Sequence, residues 1–158
     1  MADADYVVYR SLLLSRGSSG TRIDTEREIL NRHFPSFTLN ETNSAEQLGY
    51  ATGALRVAFA GKRYRLKIVL PARYPYEMPY VMPIGWTPKS NPHIYTNGNI
   101  CVMKSNQWHT YMSTALIVAK SAVWLHKYEI WLDKRVWPGP EQHDHGPLYR
   151  LRKFWHEL

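Results

Sequence analysis

Apolar positions change their spacing several times along the chain, and each change marks an element. Ile29, Leu30, His33 and Phe34 recur at helical spacing behind Thr25-x-x-Glu28, a capping-box pattern. A helix is therefore expected to start at Asp24 or Thr25 and to stop at Pro35. Residues 36–40 read as a short extended segment and residues 41–49 as polar. Leu55, Val57 and Phe59 alternate with Arg56 and Ala58, and Tyr64, Leu66, Ile68 and Leu70 alternate with Arg65, Lys67 and Val69. A period of two marks half-buried strands, and Ala60-Gly61-Lys62 between them closes an antiparallel hairpin. Arg63, Arg65 and Lys67 then fall on its outer, solvated face. Residues 80–84 form one more short strand, at an edge or a strand end, because Pro83 has no N–H to give a ladder.

Between these strands lies Arg73-Tyr74-Pro75-Tyr76-Glu77-Met78-Pro79, a rigid elbow set by two prolines and anchored by aromatic rings. Residues 112–137 carry a wide apolar stripe that includes Leu116, Ile117, Val123, Trp124 and Tyr128, which predicts a buried helix. Trp137-Pro138-Gly139-Pro140 ends it, and the amphipathic residues 148–158 predict a final helix. Strands and helices come in blocks rather than in alternation, so the fold class is α+β. Residues 1–23 hold an apolar run and then a Gly/Ser-rich break. They are read as an N-terminal extension, open between a loosely attached flexible segment, a strand and a short helix, on a core domain of residues 24–158 whose pattern diverges from about residue 133.

Length and composition narrow the picture. A chain of 158 residues, 44% hydrophobic, fits one domain with a real core and excludes disorder. One cysteine excludes an internal disulfide and fits a reducing compartment. No signal-peptide pattern and no apolar run of the ~20 residues a membrane span needs is present. A cytoplasmic protein without a membrane partner is expected. The net charge of +7 is scattered and accompanies no nucleic-acid motif, so it points to a negatively patched protein rather than to nucleic acid.

The candidate chemistry gathers in residues 88–108. Cys101 follows the turn Thr96-Asn97-Gly98-Asn99, between Ile100 and Val102. Asn91, His93 and Asn97 precede it, and Gln107, Trp108 and His109 follow. A lone thiol is ordinarily a small buried hydrophobe. Among amide and imidazole groups it can instead be held as a reactive thiolate. Zinc is set aside: four ligands would have to come from Cys101 and the scattered histidines at 93, 109, 143 and 145, with no paired cysteines. No metal and no cofactor are expected. A cysteine hydrolase using Cys101 with His93 or His143 is disfavoured, because no strand-to-helix nucleophile elbow precedes the cysteine.

From residue 24 to about 132 the chain resembles the ubiquitin-conjugating enzyme family. The resemblance rests on the elbow Tyr74-Pro75-Tyr76-Glu77-Met78-Pro79, on Gly98-Asn99-Ile100-Cys101, and on Gln107-Trp108, in the family's order and at nearly its spacing. It implies a UBC-like fold: an N-terminal helix, a four-stranded antiparallel meander, an active-site loop and C-terminal helices. It also implies that Cys101 takes a ubiquitin-like protein as a thioester from an activating enzyme and passes it to an amine of a target protein. Asn91-Pro92-His93 stands where the family has His-Pro-Asn, so His93 occupies the place of the asparagine associated with oxyanion stabilisation. Asn91 is a second candidate donor, and Trp108 with Asn97 is expected to wall the site. Arg27 and Arg32 match the surface that docks the activating enzyme. From about residue 133 the chain departs from the family, with His143 and His145 as candidate catalytic partners. That divergence resembles bacterial relatives found in phage-defence operons. The rival reading is a non-catalytic adaptor of the same fold that binds a ubiquitin-like protein or scaffolds a conjugation complex.

Overall fold

The computed structural model describes residues 12, 21–42 and 44–139. The expected helix over residues 148–158 and the histidines at 143 and 145 lie outside the described residues. Helix α1 (Arg22–His33) leads into strands β1 (Thr38–Glu41), β2 (Gln47–Val57), β3 (Lys62–Pro71) and β4 (Tyr80–Pro83), and the long helix α2 (Thr114–Lys134) follows. The strands form one antiparallel meander in the order β1-β2-β3-β4. Its inner face carries Ala51, Val57, Leu66, Ile68 and Leu70, which are buried against Leu116, Ile117 and Leu125 of α2. Arg63 and Arg65 of the same β3 alternation stay exposed, as period-two patterning requires. No helix among the described residues is long and apolar enough to cross a membrane.

Several boundaries differ from the sequence expectation. Helix α1 starts a turn earlier, at Arg22, because Thr21 caps it: Thr21 Oγ1 accepts the Asp24 N–H at 3.2 Å. Thr25 instead donates its hydroxyl to the Thr21 carbonyl. Buried Ile23 and Glu26 carry the inward stripe into that extra turn. Strand β2 begins at Gln47, within the stretch that reads as polar, and Gly49 lies so close to β1 that an added Cβ would strike the Asn40 carbonyl oxygen. Phe59 leaves the strand alternation. It sits in a 3₁₀ turn, Ala58–Ala60, at 64% exposure, and Gly61 closes that turn at φ 64°. Helix α2 is shorter than its apolar stripe, capped by Ser113 and ended by Arg135 in the left-handed region.

Leu12 is the one described residue ahead of Thr21. It is buried in the core, and its carbonyl accepts the Ser113 hydroxyl at 2.5 Å.

Two buried carboxylates fasten the layers. Glu26 is fully buried and accepts Arg22 Nε at 2.9 Å, the Tyr74 hydroxyl and the Thr114 N–H at 2.8 Å. It joins α1, the elbow and the first turn of α2, where a negative charge also suits the helix dipole. Arg22 continues the network to the carbonyls of Met112, at 2.6 Å, and Thr110. Glu129 accepts the Tyr64 hydroxyl and Lys62 Nζ, at 3.1 Å, tying β3 to the far end of α2. Burial first, and then the Glu129 carboxylate, hold the Tyr64 phenol above its ordinary range.

Candidate active site

The elbow turns the chain out of β3 through the cis Tyr74–Pro75 bond, and β4 returns it to the sheet edge. The following loop pairs with itself. Tyr95 N–H donates to Asn99 O at 2.9 Å, Ile94 bridges Ile100, and Cys101 N–H donates to His93 O at 3.0 Å. The register is thus 93 with 101, 94 with 100 and 95 with 99. At its tip Gly98 N–H donates to Tyr95 O, Gly98 stands at φ 86°, and Asn97 Oδ1 accepts the Asn99 N–H at 3.0 Å. Ile100 also bridges Val81 of β4 and is buried, which sends the side chains at 99 and 101 to the other face of this ribbon.

Directly opposed residues of an antiparallel pair project on the same side, with diagonal neighbours still in reach of long side chains. His93 is therefore the cross-strand partner of Cys101, and Tyr95 its diagonal neighbour. Cys101 is half-buried, with its thiol directed weakly at the Met103 carbonyl at 3.9 Å. The Tyr95 phenol is pushed up to about 12 by burial first, then by its hydrogen bond to Cys101 and the charge that sulfur can carry. Tyr95 is a neighbour of Cys101 that residue-type reasoning does not single out; its position two residues after His93 on a ribbon closed at residues 96–98 is the signal that finds it.

Helix α2 holds the loop from behind with polar tips on aromatic side chains. Trp124 Nε1 donates to His93 O at 3.0 Å, and the Tyr128 hydroxyl accepts the Lys89 N–H at 2.8 Å. The His93 ring packs on Trp137, centroids 4.6 Å apart, and Trp137 packs on Trp124. Asn91 spends its amide locally: Nδ2 donates to Lys89 O and Oδ1 accepts the His93 N–H, both at 2.9 Å.

Cys101, His93, Asn91 and Asn97 are thus brought together in one loop. Trp108 is buried, with its N–H on Pro75 O at 2.7 Å and its ring against Tyr74, so its contacts bind the elbow. Arg27 and Arg32 lie on α1, exposed and paired with Asp24, Glu41 and Glu28. Beside the ribbon, between elbow, β4 and loop, a cavity of about 560 Å³ is lined by Met78, Tyr80, Met82, Tyr95, Val102 and Met103, among others.

A helix, a four-stranded meander, an elbow, a cysteine-bearing loop and a long helix in this order define the ubiquitin-conjugating fold. The family model of the type II CBASS E2 protein matches residues 26–144, and the chain belongs to that family, a divergent bacterial branch of the fold. It is 37% identical over 62 residues to ubiquitin-conjugating enzyme E2 W of Caenorhabditis elegans, covering 39% of this chain and 41% of that protein. It is 43% identical over 51 residues to ubiquitin-conjugating enzyme 15 of Arabidopsis thaliana, covering 32% and 31%. The match therefore spans less than half the length of either relative. The likeness to a solved structure, a complex of the Vps23 UEV with ubiquitin, is fainter: TM-score 0.45 at 14% identity, covering 77% of this chain and 92% of that one.

Proposed function

We propose that the chain is a conjugating enzyme for a ubiquitin-like protein, acting in the cytoplasm in an antiviral setting, as the family suggests. Cys101 takes the C-terminal carboxyl of that protein from an activating enzyme: its sulfur attacks the incoming thioester carbon, and the activating enzyme's sulfur leaves. A target amine then attacks the new thioester, and Cys101 departs as thiolate. The chemistry needs orientation and stabilisation of an oxyanion, which are tasks for protein dipoles. The observation that carries this reading is the sole cysteine, half-exposed and pinned through its own backbone N–H opposite His93.

His93 is the candidate oxyanion donor, or in its neutral form the acceptor of the amine's proton. Asn91 and Asn97 shape the loop that presents both. His143 and His145 are further candidates for partnering the sulfur. Trp108 acts on the site through the elbow it braces. Arg27 in the middle and Arg32 in the last turn of α1, both on its exposed side, are the proposed contact for the activating enzyme.

The test is a non-reducing gel after incubation with a candidate activating enzyme, ubiquitin-like protein and ATP. Wild type forms an adduct that reducing agent removes, Cys101→Ser forms one that resists it, and Cys101→Ala forms none. An adduct persisting in Cys101→Ala would overturn the reading. The adaptor alternative draws on Asn91, whose amide is already occupied by the loop. A wild-type protein that binds the ubiquitin-like protein but never charges would establish it.

A further inference from the structure

Trp137 lies against the active-site loop, although it belongs to the segment that leaves α2 and the proposed chemistry gives it no part. Its ring packs on the His93 ring, centroids 4.6 Å and planes 38° apart. Behind it stands Trp124 at 5.5 Å, which itself stacks on Tyr128 at 5.0 Å. His93 is therefore held twice from the same end of the molecule, its carbonyl by Trp124 Nε1 and its ring by Trp137. The turn that delivers Trp137 is strained. Arg135 ends α2 at φ 56°, and it is the one non-glycine residue at positive φ among the described residues. That region crowds any side chain with a Cβ, and glycine is its usual occupant after a helix. The Arg135 N–H on Trp131 O at 2.8 Å, and its guanidinium over the Trp131 ring at 5.0 Å, offset part of that strain.

From this arrangement we infer that Trp137 is a positioning residue, whose indole face fixes the orientation of the His93 ring beside Cys101. Backbone pairing settles only where His93 stands. Cys101 N–H on His93 O makes the two residues cross-strand partners, but the imidazole still has its own side-chain torsions to fix. An aromatic surface at 4.6 Å removes part of that freedom, since this separation lies in the range at which aromatic rings attract. A ring aimed in advance needs no reorientation when charge develops on the reacting carbonyl. Trp108, the tryptophan that the sequence offers as a wall of the site, braces the elbow instead, so aromatic support for His93 comes from the C-terminal end of α2. The turn at Arg135 serves the same end, because it sets where residue 137 arrives. Backbone strain of this kind persists where the surroundings hold it in place, and it clusters at functional sites.

The effect on amine discharge rests on the conjugating reading, while the hold on the ring does not, and the two are measured separately. In the uncharged full-length protein, the His93 Cε1–H proton resonance is identified by its loss in His93→Ala. An indole face displaces the resonance of a proton held near it, so Trp137→Leu is expected to move that signal and Trp137→Phe to move it less. In single-turnover discharge to a free amine, Trp137→Leu is expected to be slower by about tenfold, with charging unchanged. Trp137→Phe, which keeps an aromatic face, should stay within about threefold of wild type. In a His93→Ala background, Trp137→Leu should change discharge by less than about twofold, because a residue that acts through another adds nothing once that other is gone. A His93 signal that stays in place in Trp137→Leu would overturn the inference. Losses that add in the double variant, or that fall equally on charging and discharge, would overturn it too. If Trp137→Leu melts lower than wild type, Trp137→Met, with a longer and more adaptable side chain, takes its place and the same comparisons decide. A protein that never charges on the gel, yet whose His93 signal follows residue 137 as described, upholds Trp137 as the residue that positions the ring and overturns the conjugating reading instead.

Discussion

Asn91, Asn97 and Gly98 lie in the loop that carries Cys101, and each is occupied in shaping it: one through an amide bonded at both ends, one through an Asx turn, one through a positive φ. The His93 backbone does the same work, since its carbonyl accepts both Cys101 N–H and Trp124 Nε1. Its ring, packed on Trp137, makes neither of those two bonds, so both donors keep their acceptor when the side chain is substituted. His93→Ala is expected to charge normally and to discharge to a free amine about 100-fold more slowly, the loss typical of one oxyanion donor. Single-turnover discharge measures it; equal losses in charging and discharge would mark the ring as structural. Gly98→Ala acts at the other level. A side chain at φ 86° costs about 1–2 kcal/mol and loosens the turn that sets the 93/101 register, so charging itself falls. That Cys101 and His93 share one polar loop was legible from residue type and neighbourhood. The placing of Tyr95 diagonal to Cys101 was not, because it comes from backbone pairing, which depends on where the turn closes.

At the scale of elements, the fastenings are polar groups buried between layers. Glu26 serves three partners, so truncation strands the Arg22 charge, the Tyr74 hydroxyl and the Thr114 N–H together. Glu26→Ala is expected to destabilise by about 3–5 kcal/mol, read as a denaturant midpoint shift with little change in slope. His33, at the last turn of α1, gives a pH signature. Among the described residues its Nε2 is buried without a hydrogen-bond partner, and burial first, then Arg32, lowers its pKa below the ordinary value. The unfolded chain thus takes the proton more readily, and stability falls as pH drops through about 6.5. Thermal melts of His33→Leu should lose less between about pH 7.5 and pH 5 than wild type does. Helix and strand types were readable from apolar spacing, but their limits were not. Thr21-x-x-Asp24 and Thr25-x-x-Glu28 look alike as caps, and only the burial of Ile23 and Glu26 decides between them. Trp124 and Tyr128 read as part of an apolar stripe, which hid the N–H and O–H that hold the active-site loop.

For the molecule as a whole, charge is distributed by face. The outer side of the β2–β3 pair carries Arg56, Arg63, Arg65 and Lys67. None of the four is in a salt bridge among the described residues, although Lys67 lies over the Tyr50 ring. Arg56 and Arg63 stand directly opposite one another across the ladder, an arrangement that costs rather than contributes stability. With a net charge of +7, self-repulsion on this face adds to that local term. Four of the basic residues scattered through the sequence thus share one face, because period two sends these strand positions outward. Arg56→Glu replaces the repulsion by an attractive cross-strand pair. It is expected to stabilise by about 0.5 kcal/mol, because both side chains are exposed and well solvated. The gain should be largest near 0.01 M salt, where screening extends about 30 Å, and vanish near 1 M, where it is about 3 Å. Urea midpoints at the two salt concentrations measure it. A gain that survives high salt would mean that strand propensity or packing, and not the field of the basic face, sets stability there.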